Sequence, residues 1–209
     1  MTSSKKYQTA LILAVVTIVY NLIEGGLSTY FGTADETLAL LGFGVDSFVE
    51  VISGIGIAHM IFRIRSNPDS SIDSFEERAL RITGVAFYIL TIGLLAGAII
   101  SIISQATPST TRVGIIISVV SILTMYILYR QKLRIGRELN SEPIISDANC
   151  TRTCFYLSFI LLGSSLAYEL LRIPFIDAIG SLGIAWYAFR EGKEAFEKAR
   201  NRTLACECD

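Results

Sequence analysis

Long apolar runs separated by short polar connections dominate the chain. Six runs stand out, at about 7–31, 37–62, 80–104, 113–129, 144–171 and 173–189. A helix needs about 20 mostly apolar residues to cross a bilayer, and each run is close to that length. In lipid only helices or closed barrels satisfy the backbone, and the absence of strand-like alternation favours helices. The connections agree with this division. Gly32-Thr33-Ala34-Asp35-Glu36, Ser66-Asn67-Pro68-Asp69-Ser70-Ser71 and Gln105-Ala106-Thr107-Pro108-Ser109 are rich in turn formers. Pro143 and Pro174 fall at helix starts, where a missing N–H costs little. The expected fold is all-α: an integral membrane six-helix bundle forming one transmembrane domain over 1–209. A short charged tail, 190–209, continues the last helix in its first half.

Composition strengthens this picture. Only 18% of the 209 residues are charged and 52% are hydrophobic, with a mean hydropathy of +0.53. Soluble domains carry about 25% charged residues. The net charge of -1 argues against a nucleic-acid partner. The basic start, Met1 to Lys6, followed by an apolar run resembles a signal peptide. The run continues past about 20 residues without a small-residue cleavage site, so it reads as a retained helix.

The distribution of basic residues sets an expected orientation. Lys5, Lys6, Arg63, Arg65, Arg78, Arg81, Arg130, Lys132, Arg134, Arg137, Arg190, Lys193, Lys198, Arg200 and Arg202 all fall at one end, against Arg112 and Arg172 at the other. Both termini are expected in the cytoplasm, and the protein in the cell membrane as a multi-pass chain.

Ionisable residues inside membrane spans are costly and mark function. Asp46 and Glu50 are four apart on the second span, hence on one face. Two carboxylates one turn apart repel when ionised, and either a bound cation or protonation into a hydrogen-bonded structural pair removes that repulsion. Cys150 and Cys154 repeat the spacing on the fifth span, with Asp147 on nearly the same face. Thiols and a carboxylate on one stripe suit a cation such as zinc or cadmium. Cys150 and Cys154 read equally well, by themselves, as small apolar residues. Glu24, with Asn21 and Ser28 at helical spacing, is a proton-coupling acid, a partner of the ligands or a structural hydrogen bonder. Asp177 opens the sixth span, where an acid favours the helix N-terminus. Glu169 lies near a helix end, and His59, the single histidine, reads as interfacial. Cys206 and Cys208 form a terminal CxC flanked by acids, a partial accessory metal site.

These segments resemble the cation diffusion facilitators, a family of six-helix divalent metal exporters. The resemblance covers nearly all of the membrane portion. It rests on Gly42-Phe43-Gly44-Val45-Asp46-Ser47-Phe48-Val49-Glu50, on Ser146-Asp147-Ala148-Asn149-Cys150-Thr151-Arg152-Thr153-Cys154, and on Ile176-Asp177-Ala178-Ile179-Gly180-Ser181-Leu182. It implies a tetrahedral transport site of Asp46, Glu50, Cys150 and Cys154, with Asp147, Glu24, Asp177, Cys206 and Cys208 as accessory candidates. It further implies metal/proton antiport by alternating access, and a homodimer. Cysteines stand where the family carries nitrogen and oxygen ligands, which moves the expected substrate toward zinc or cadmium. The chain ends soon after the sixth span, so a short form without the family's cytoplasmic domain is expected. No cofactor and no enzymatic activity are expected, since no nucleotide-binding loop or hydrolase signature is present. The rival readings are a membrane thiol-redox protein using Cys150 and Cys154, and a metal sensor that does not transport.

Overall fold

A computed structural model describes residues 3–35, 37–66, 74–105, 107–173 and 175–201. The expected six helices are present: α1 (Ser3–Ala34), α2 (Leu38–Ser66), α3 (Ser74–Ser104), α4 (Arg112–Leu139), α5 (Glu142–Leu171) and α6 (Ile176–Asn201). Each covers most of one apolar run; α2 and α6 start later than their runs, at Leu38 and Ile176, and several helices outlast the runs at the other end. α4 continues past residue 129 to Leu139, and α6 past Phe189 to Asn201. Lys, Arg and Glu are good helix formers, so the hydrophobic pattern ends before the helix does. Pairs four apart support these extensions, as in Arg134–Glu138 at 2.9 Å and Lys193–Glu197 at 3.6 Å. α4 stops at Asn140 in the left-handed region, φ 48°, whose N–H reaches the carbonyls of Gly136 and Arg137. Pro143 sits in the first turn of α5, as its position predicts. Pro174, Cys206 and Cys208 lie outside the described residues.

Among the described residues, five helices are long and apolar enough to cross a membrane, and α6 is not one of them. Its apolar part, 176–189, is short, and its charged part folds onto the bundle. Tyr88 of α3 stacks on Phe196 at 5.5 Å and leans on Phe189 at 5.7 Å. This approach needs glycine: a Cβ at Gly192 would lie 2.9 Å from the Tyr88 ring. The tail thus carries Glu191 against the interior.

The most extensive pairings are α1 with α2, α3 with α6, and α4 with α5. Small residues let α1 and α2 meet backbone to backbone. A Cβ at Gly44 would lie 2.6 Å from the Thr29 nitrogen, and one at Gly32 would lie 2.5 Å from the Leu41 nitrogen. Phe43, Leu157, Leu161 and Ile184 fill the centre. Around them the usual polarity is inverted. Ile12, Val19 and Ile23 of α1, Ile89, Ile92 and Ile103 of α3, and Ile116, Leu123 and Ile127 of α4 face outward. Asn21, Glu24, Asp46, Ser47, Ser121, Ser158 and Asp177 are buried. Apolar outer faces around a polar interior suit a lipid solvent, in which buried polar groups must find one another.

Candidate functional site

Asp46 and Glu50 occupy the inward face of α2. Asp46 is 1% exposed, and its Oδ1 has no hydrogen-bond partner. Glu50 is half-buried. Its Oε2 accepts a hydrogen bond from Asn21 Nδ2 of α1 at 3.0 Å, and a second from the Cys154 thiol of α5. One acid of the second span, Glu50, and one thiol of the fifth, Cys154, are therefore in direct contact. Asn21, Glu50, Cys150, Asp147, Thr151 and Glu191 help to line one cavity of about 40 Å³. A water needs roughly 10–15 Å³ on this measure, so the cavity accommodates an ion with a remnant of its hydration shell. Among the described residues, no three His, Cys, Asp or Glu side chains are already gathered closely enough to hold an ion. The arrangement is a contact between two donors beside a cavity, short of a closed tetrahedral cage.

The transmembrane domain of cation efflux proteins matches residues 10–201 as a family model. The chain belongs to the cation efflux family. A relative, the manganese efflux system protein MneP of Bacillus subtilis (strain 168), is 24% identical over 205 residues, covering 92% of this chain and 68% of its own length. Five spanning helices and this membership make the protein a multi-pass integral membrane protein of divalent cation export.

The remaining sequence candidates of this cation efflux protein separate by their partners. Glu24 is 4% exposed, and both its oxygens are occupied by hydroxyls. Tyr20 donates to Oε1 at 2.9 Å and Ser47 to Oε2 at 3.2 Å. These hydrogen bonds link α1 to the Asp46 turn of α2. Asp177 has a use the sequence did not suggest. Its carboxylate accepts the N–H groups of Leu38 at 2.8 Å and Ala39 at 3.4 Å, capping α2 from across the bundle. Both carboxylate oxygens are thereby engaged away from the cavity. Glu169 holds Arg112 and Arg172, each at 3.1 Å, at the end of the bundle opposite the chain ends. His59 is half-buried on α2 and does not line the cavity. Asp147 is 5% exposed, and its Oδ1 is taken by the Lys132 ammonium at 2.9 Å.

Two participants escaped sequence reasoning. Lys132 follows the fourth apolar run among other basic residues, yet it is 1% exposed. Glu191 belonged by pattern to the solvated tail, yet it lines the cavity, with Oε1 accepting from Thr153 at 3.0 Å. The Gly192 contact with α3, which carries Glu191 inward, was the available signal.

Proposed function

We propose that the protein exports a soft divalent cation, zinc or cadmium, from the cytosol in exchange for protons, with Asp46, Glu50, Cys150 and Cys154 as its ligands. The observation that carries this is the thiol of Cys154 donating to the Glu50 carboxylate, which joins α2 and α5 at the cavity. A cation held there must displace protons from its ligands, so loading and proton release are one event. Asp46, with an unpartnered buried oxygen, and Cys150, on the cavity wall, close on the ion as it loads. Rocking of the helices then opens the site to the other side, where incoming protons release the ion.

Both chain ends face the cytoplasm in this scheme. Arg112 and Arg172, at the opposite end, are each paired with Glu169, which sharpens the charge asymmetry that orients the chain. The outward apolar faces provide the surface for a homodimer in the plane of the membrane.

Manganese is the second reading. The relative's name favours it, as do the oxygen donors Asp46 and Glu50 in a mixed set. Metal flux into proteoliposomes, with and without a pH gradient, tests the mechanism for wild type and Asp46→Ala. Flux driven by the gradient and abolished by Asp46→Ala is expected. Flux indifferent to both overturns it. Calorimetry with zinc, cadmium and manganese on wild type and Cys150→Ala/Cys154→Ala separates the two metal readings.

A further inference from the structure

Lys132 and Asp147 form an ion pair buried between α4 and α5, at 2.9 Å. The ammonium also donates to the Thr151 hydroxyl at 3.0 Å, and that hydroxyl donates to the Asp147 carbonyl at 3.2 Å. An ammonium carries three donors, and these contacts use two. A buried ion pair is a poor way to hold two helices together, because well-packed apolar residues do as well or better. Its presence beside a cation pathway asks for another explanation.

The other oxygen of the same carboxylate supplies one. Asp147 Oδ2 is buried without a hydrogen-bond partner, and so is Asn21 Oδ1. Both side chains are at least nine-tenths buried, and both line the cavity that Glu50 and Cys150 share. A carboxylate and an amide beside one small cavity, each with a buried oxygen that no hydrogen bond occupies, offer the kind of donor a hard or borderline cation takes while partly hydrated. On α5, Asp147, Cys150, Thr151 and Cys154 follow at helical spacing, so they form one stripe leading from the Lys132 contact to the Glu50 contact.

We infer that Asp147 and Asn21 form a loading site for the transported cation, and that the Lys132 ammonium is the tethered counter-ion which the cation displaces from Asp147. This rests on the proposed transport site and places a step before it. In the empty protein Lys132 neutralises a carboxylate that the interior would otherwise hold uncompensated. A divalent cation outcompetes the ammonium by its second charge. A monovalent cation, facing a competitor fixed within 3 Å by the chain, does not, so the pair also excludes sodium and potassium. Once the ion moves along the stripe to Cys150, Cys154 and Glu50, the ammonium returns to Asp147 from its anchor on Thr151.

The test uses the full chain in detergent with Cys206→Ser/Cys208→Ser as its background, so that the thiolate signal comes only from α5, with manganese followed by calorimetry and cadmium by its thiolate charge-transfer absorption. Lys132→Met keeps the side-chain bulk and removes the competitor. Manganese affinity is expected to rise at least tenfold, and sodium to begin to compete. Lys132→Met/Asp147→Leu replaces the pair by apolar residues. It is expected to lose the manganese step while keeping the cadmium–thiolate band at saturation. A merely structural pair predicts the reverse: no gain in affinity for Lys132→Met, and a manganese step that survives in the double variant. Either result overturns the inference. Should Lys132→Met fail to fold, the double variant decides alone, since it leaves no unpaired charge. Absence of the cadmium–thiolate band in the background protein would strike the transport site itself, and not the loading step.

Discussion

Asn21→Leu removes the hydrogen bond to Glu50 at the centre of the proposed site, together with the amide oxygen assigned to the loading site. Asn21 is 1% exposed on α1, and its Nδ2 lies 3.0 Å from Glu50 Oε2. A hydrogen bond to a charged group contributes about 1.5–3 kcal/mol. At about 1.4 kcal/mol per factor of ten, that is roughly a tenfold to hundredfold loss in cadmium affinity. The same range, about 10–100-fold, is seen when a metal ligand loses the partner that orients it. Leucine is close to asparagine in shape, so the α1–α2 contact survives and the fold should hold. Calorimetric titration with cadmium reads the affinity, and thermal unfolding without metal reads the fold. A dissociation constant within about twofold of wild type, in a protein that unfolds normally, would show that Glu50 is not a ligand oriented by Asn21.

Three further outcomes follow from the same geometry. Gly44→Ala puts a Cβ 2.6 Å from the Thr29 nitrogen, forcing two backbones apart. A loss of about 1–3 kcal/mol is expected in detergent unfolding, whereas Gly26→Ala, with nothing within 4 Å of its Cβ, should match wild type. Asp177→Ala uncaps α2 and should cost about 0.5–2 kcal/mol while leaving the cadmium affinity unchanged; a weakened affinity with unaltered stability would make Asp177 a ligand instead. Cys150→Asp/Cys154→Asp replaces sulfur by oxygen on α5 and should shift competitive flux from cadmium toward manganese, and an unchanged preference would show that the thiols do not select the metal.

Much of this was legible in the sequence because it is local. Apolar runs of bilayer length stay apolar wherever they pack, and pairs four apart share a helix face in any fold. That is why the six helices, and the shared faces of Asp46 with Glu50 and of Cys150 with Cys154, could be read directly, whereas joining the two pairs into one site took the family resemblance. The misreadings are all long-range. Asp177 sits in the first turn of α6, so a local rule ties it to its own helix, yet it caps α2 from 139 residues away in sequence. Lys132 stands in a run of basic residues and looks solvated, but helix α4 continues beyond the apolar run and turns this one lysine toward Asp147. Glu191 follows the same logic, since its helix docks on α3 through Gly192 and Phe196. Charge runs predict which end of a helix is wet, and tertiary packing decides which side of it is dry.

X-ray absorption at the zinc edge bears most directly on the claim that acids and thiols of α2 and α5 share one cation. The measurement is made on protein carrying Cys206→Ser/Cys208→Ser, so that sulfur signal comes only from α5. Two sulfur neighbours at about 2.3 Å with oxygen neighbours at about 2.0–2.2 Å are expected, and the sulfur shell should vanish in Cys150→Ser/Cys154→Ser. A stoichiometrically bound zinc with an all-oxygen shell would contradict the account.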